Sequence, residues 1–158
     1  MSEQVDLFRL AVRDKIADLT PTVLPGFVFR EAPYSARLEF LEPELLQLDS
    51  MRAFQVVARP DFGEGVFFGG YDATGYVEII VRYDLHLRPA DGWLTLTQMV
   101  AADAVEIKKA IGTSPNATTW PGLTVCNVRA IRQEGPLKSA TWENIYFLRI
   151  AVEYRFET

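Results

Sequence analysis

Apolar and polar residues alternate through two stretches of this chain, Tyr76–Arg88 and Glu143–Glu157. In the first, Val77, Ile79, Val81, Tyr83, Leu85 and Leu87 fall on one face. Glu78, Arg82, Asp84, His86 and Arg88 fall on the other, and only Tyr76 and Ile80 break the pattern. In the second, Tyr146, Leu148, Ile150, Val152, Tyr154 and Phe156 oppose Arg149, Glu153, Arg155 and Glu157. A period of two predicts antiparallel strands with one covered and one solvated face. Straight strands of this length would run roughly 40–50 Å. A compact chain of this size has a radius of gyration near ~15 Å. Such strands must bend or project beyond the globule, and projecting strands meet other subunits.

Helical spacing appears twice. Val5, Phe8, Val12, Ile16 and Leu19 step by three and four and predict an amphipathic helix from about Glu3 to Leu19. Ser2 suits its N-cap, and Thr20-Pro21 stops it. Leu96, Val100, Ala104, Ile107 and Ile111 predict a second helix over roughly Thr95–Ile111, with Lys108 and Lys109 at its negative end. Gly112 and Pro115 terminate it. Asp103 and Glu106, three apart, are expected on its solvent side.

Shorter strands are predicted at Phe27–Glu31, Arg37–Leu41, Ala53–Arg59 and Leu123–Arg132, the last with an alternation that suggests a bulge. Pro43–Asp49 reads equally as a helical turn or a loop. Pro60–Gly75 carries Gly63, Gly65, Gly69, Gly70 and Gly75 and predicts a long hairpin loop, with Val66–Phe68 as a local extension. Gly135-Pro136 predicts the turn into the last strand. The result is one domain over residues 1–158 of α+β class: a mainly antiparallel sheet with both helices on one face.

Composition narrows the chemistry. A net charge of -5 opposes sequence-independent wrapping of nucleic acid. The lone Cys126 precludes an internal disulfide and fits a reducing compartment. The first residues lack the basic start and apolar core of a signal peptide, and no apolar run reaches the ~20 residues of a membrane span. A soluble protein made in cytoplasm is expected, with no membrane partner.

Candidate catalytic groups are sparse. His86 is the only histidine, so neither a two-histidine metal site nor a histidine pair can form. Cys126 has no evident base beside it and reads as a small packed residue. Asp103 and Glu106 would need carboxylates from another element to hold a cation. The glycine-rich loop lacks the Lys-Ser/Thr ending of a phosphate cradle. No catalytic residue, metal or cofactor is expected, and the chain is not read as an enzyme. The loop aromatics Phe62, Phe67, Phe68, Tyr71 and Tyr76 either tuck over the sheet or anchor a subunit interface. The polar sheet face carries Glu78, Arg82, Asp84, Arg149, Glu153 and Arg155. It reads as cross-strand pairs in water or, in a ring, as a lumen lining.

The order and spacing of these features resemble a known family. An N-terminal helix is followed by Arg52-Ala53-Phe54-Gln55-Val56, a Gly/Asp-rich loop, and the strand ending Val81-Arg82-Tyr83. A helix with Asp103 and Ile107 then precedes a last strand containing Val152–Arg155. Together this is similar to the tail terminator, or tail completion, proteins of long-tailed bacteriophages. That resemblance spans nearly the whole chain. It implies a structural virion protein of the tail or neck, assembled in the host cytoplasm as a homo-hexameric ring. Such a ring caps the tail tube, stops its polymerisation and offers the surface that joins the head. Its partners would be the tube protein and the head-completion or connector protein, with DNA passing through the lumen without sequence-specific binding. Two alternatives stand beside it: a head-closure or tail-tube subunit of the same particle, and a small-ligand-binding or hydrolytic α+β domain.

Overall fold

The computed structural model describes residues 2–32, 51–58, 65–66, 72–85, 92–112, 126–139 and 143–157. Within them lie helix α1 (Ser2–Ala17), strands β1 (Arg30–Glu31), β2 (Arg52–Ala58), β3 (Gly65–Val66) and β4 (Asp72–Asp84), helix α2 (Gly92–Gly112), and strands β5 (Cys126–Lys138) and β6 (Ile145–Glu157). The sheet order is β1-β2-β4-β6-β5, with β3 pairing β4. Every pairing is antiparallel except β1 with β2. The architecture is α+β, as the periodicities predict.

Both helices cover one sheet face. Phe8, Val12 and Ile16 of α1, and Leu96, Val100, Ala104, Ile107 and Ile111 of α2, are buried. They join Phe54, Val56, Val77, Ile79, Val81, Leu148, Ile150 and Val152 in one core. Each of these positions is one that the three-and-four or period-two pattern assigns to the apolar side. The geometry that repeats every 3.6 residues on a helix and every two on a strand delivers them to a common interior.

Strands β4 and β6 pair residue for residue from Asp72–Glu157 to Asp84–Ile145. β4 therefore begins four residues before the expected Tyr76, inside the glycine-rich stretch, because β6 offers a continuous ladder for its backbone groups. Gly65–Val66 lies beside it, close to the expected extension at Val66–Phe68. The expected 27–31 strand is reduced to Arg30–Glu31. The expectations for 37–41 and 43–49 lie outside the described residues.

Two expectations are corrected. Gly135-Pro136 is not the turn into the last strand: β5 runs through it to Lys138, and Asn144 (φ 60°) lies in the turn before β6. β5 absorbs Gly135-Pro136 as a register shift between Glu134 and Leu137, and a second shift separates Val128 from Ala130, where a bulge was expected.

The second correction concerns the polar face of the sheet. Ala53, Ile80, Ile145 and Phe147 form a smaller apolar cluster there with Ala32, and Gln55 and Arg82 are buried beside it. Arg82, expected on a solvated face, is 1% exposed. Burial lowers its pKa, with Asp84 opposing the shift. This cluster also accounts for Ile80, one of the two residues that broke the alternation.

Candidate functional site

Three polar side chains occupy positions that the pattern reserves for the core. Arg52 shares the strand face of Phe54 and Val56, and Tyr83 that of Ile79 and Val81. Asp103 stands one helical turn from both Val100 and Ile107. The register places Arg52 directly opposite Tyr83, and α2 lays Asp103 over both. Asp103 is thus fully buried rather than on the solvent side of its helix. Its i−3 and i+4 neighbours, Val100 and Ile107, are both core residues, and that spacing is the signal that could have found it.

Arg52 donates in five directions. Its Nε gives a hydrogen bond to Asp103 Oδ2 at 2.7 Å, and Nη2 reaches Asp103 Oδ1 at 3.2 Å. Nη1 donates to the carbonyls of Leu24 (2.9 Å) and Phe27 (2.7 Å), and Nη2 also donates to the carbonyl of Val23. A guanidinium has five N–H groups, and each one meets an acceptor. The guanidinium also lies 5.5 Å from the centre of the Phe29 ring, which packs edge-on against Phe54. Tyr83 donates its hydroxyl to Asp103 Oδ2 at 2.8 Å.

The protonation states follow from burial and partners. Burial pushes the Tyr83 phenol well above its usual pKa, and the Asp103 charge and hydrogen bond push it the same way. Tyr83 therefore remains a donor. Burial also raises the Asp103 carboxyl, while the Arg52 charge and the bonds from Arg52 and Tyr83 pull it back.

The loop between α1 and β1 is shaped by this hub. Leu24 adopts φ 53°, a left-handed conformation that is rare for a branched side chain. The Phe27 amide closes a turn onto the Leu24 carbonyl, and Thr22 donates to Glu106 on α2. Arg52 thereby ties the loop to β2 and, through Asp103, to α2. The set holds three elements together and leaves no guanidinium N–H for a ligand. It is a structural hub. Replacing Tyr83 with Phe is expected to cost about 1.5–3 kcal/mol, the usual worth of a hydrogen bond to a charged group. Urea unfolding of Y83F at neutral pH checks this, and a loss below about 0.5 kcal/mol would show that the hydroxyl contributes little.

The other named candidates are dispersed. Glu78, Arg149 and Glu153 are half-buried on the sheet face away from the helices, and Arg149 pairs with Glu78 at 3.4 Å. Glu134 of β5 lies directly across from Arg149, which gives that acid and base opposed positions. Asp84, at the end of β4, is half-buried. Of the expected polar row, Arg82 is removed to the interior. The backbones of Tyr76 and Arg155 pair with Glu153 and Thr74, but their side chains lie outside the described ones. Phe62, Phe67, Phe68, Tyr71 and His86 lie outside the described residues altogether. Among the described residues no three metal-ligating side chains gather, and no helix is long and apolar enough to cross a membrane.

No family model matches the chain, and no curated protein is similar to it in sequence.

Proposed function

We propose that this chain is a structural subunit of a phage tail, a tail terminator that forms a ring on the tip of the tail tube. The observation that supports this most is the β4–β6 ladder, 13 residues in register on each strand. If straight, the ladder would run roughly 44 Å at about 3.4 Å per residue, more than the roughly 40 Å across a compact chain of this length. β3 pairs β4 at one end of it, and β5 pairs β6 along its length, so the ladder is flanked on both strands. An extended, paired sheet of this kind suits a subunit that must meet neighbours in fixed geometry.

The hub adds to the reading. The most deeply buried ionic group of the described residues serves the fold, which suits a scaffold. The half-buried Glu78, Arg149 and Glu153, with the exposed Glu134 across from Arg149, mix both signs. A lumen lined in that way would let DNA pass without holding it, since strong retention needs many unopposed basic contacts. The ring would be hexameric, with the tube protein below and the head-completion protein above.

Tube subunits polymerised in vitro with and without this chain provide the test. With it, electron microscopy is expected to show tubes ending in a ring and halted in growth. Tubes of unchanged length with bare ends would sink the terminator reading. Long tubes of the chain alone would make it a tube subunit.

A further inference from the structure

Three large hydrophobic side chains are exposed among the described residues: Val28 at 45%, Leu137 at 39% and Val105 at 47%. Val105 lies on α2, but the other two sit at the two opposite edges of the one sheet. Val28 leads directly into β1, and Leu137 is on β5. The register fixes their level. Arg30 pairs with Ala53, Ala53 with Arg82, Arg82 with Phe147, and Phe147 with Leu137. Leu137 therefore ends the same rung that Arg30 begins, and Val28 stands two residues from Arg30. That offset is about 7 Å along the strand. Both apolar residues thus lie at the same end of the sheet, facing opposite neighbours.

Each edge also carries both signs of charge around its apolar residue. Arg30 and Glu31 are exposed beside Val28, and Glu134 and Lys138 are exposed beside Leu137. Among the described residues no strand pairs with the outer side of β1 or of β5. β5 is nonetheless a poor template for a ladder, because it is bulged and Pro136 has no N–H. Side chains, not main-chain bonds, must make any contact there.

We propose that the Val28 edge of one copy packs against the Leu137 edge of the next, a head-to-tail contact between copies of this chain. The occupant is a second copy because the two apolar residues stand at the same end of the sheet on opposite edges, each beside an acid and a base. Each edge thereby offers the other both an apolar and an oppositely charged partner. A contact of two different surfaces propagates around a ring and closes it, whereas a self-matching patch stops at a dimer. This contact rests on the ring reading above and supplies its interface.

Charged substitutions test it. Val28→Asp and Leu137→Asp each remove one edge, and because both residues are exposed the fold should persist by circular dichroism. Either variant alone is expected to weaken self-association at least about tenfold in light scattering. Mixed one to one, they should form dimers and nothing larger, because each retains the edge that the other lacks. Val105→Asp should assemble like the wild type. Mixing that restores nothing would overturn the head-to-tail contact. Val28→Asp assembling as well as the wild type would also overturn it, leaving the ring reading to the tube experiment. A wild type that is monomeric at every concentration would overturn the contact, and tube capping would still judge the terminator reading separately.

Discussion

Arg52→Met is expected to destabilise the protein by about 3–5 kcal/mol, the usual loss when one partner of a buried ion pair is removed. Methionine replaces much of the apolar stem, so packing is largely spared. What is lost is the set of five donated bonds. Asp103 is left buried without its countercharge, and the carbonyls of Val23, Leu24 and Phe27 lose their donor. Arg52→Lys should recover little, since an ammonium has three donors and no planar fork. The double variant R52M/D103L is also expected to remain well below wild type. Removing both charges cures the unpaired carboxylate but not the three orphaned carbonyls, each an unsatisfied buried acceptor.

The pH dependence of R52M has a definite sign. The Asp103 carboxyl already lies above its ordinary value because burial outweighs its partners. Without Arg52, the first of the opposing causes disappears and the carboxyl rises further. A raised folded pKa contributes stability that is fully present below the unfolded pKa and is lost as pH rises through the folded one. The deficit of R52M relative to wild type should therefore be largest at neutral pH and shrink in mild acid. Urea melts at two pH values measure it. A variant within about 1 kcal/mol of wild type at neutral pH would show that the hub is not a major support.

Gly135→Ala should come next in effect. Gly135 has φ 140°, in a region that only glycine enters without strain. A Cβ there would stand 2.8 Å from the Phe147 carbonyl oxygen and 3.1 Å from the Leu148 Cα, both backbone atoms of the neighbouring strand. Neither can swing aside as a side chain would. Strain of ~1–3 kcal/mol and overpacking of ~1–3 kcal/mol together put the loss at about 2–6 kcal/mol. Gly26→Ala is the matched control, because nothing lies within 4 Å of a Cβ at that position. Thermal unfolding of the two variants compares them. Equal stability would mean that β5 can shift its register past Phe147 at no cost.

Much of the frame can be read directly along the chain. Phe8, Val12 and Ile16 on one helix, and Leu96, Val100, Ala104, Ile107 and Ile111 on the other, announce their buried faces by spacing alone. So do Val77, Ile79, Val81, Leu148, Ile150 and Val152 on the two long strands. What misled was polarity. Asp103 and Arg82 are charged, and charge ordinarily marks solvent, yet both are buried. Their positions pointed the other way for Asp103, which lies within the apolar stripe of α2. Nothing local marks Arg82, whose burial depends on a second apolar cluster assembled from residues on different strands.

Residue order alone sets the periodicities, and with them the helices, the long strands, the α+β class and the helix-covered face of the sheet. Those are local properties, set by backbone geometry and the cost of exposing apolar surface. The strand order, the register that sets Arg52 opposite Tyr83, and the approach of α2 that brings Asp103 onto both arise only when the elements pack. Packing alone placed Val28 and Leu137 on opposite edges at the same end of the sheet, and ran β5 past Gly135-Pro136. Each of these joins residues tens of positions apart. The free energy that selects them, paired charge, satisfied carbonyls and ladder hydrogen bonds, exists only once the partners have met.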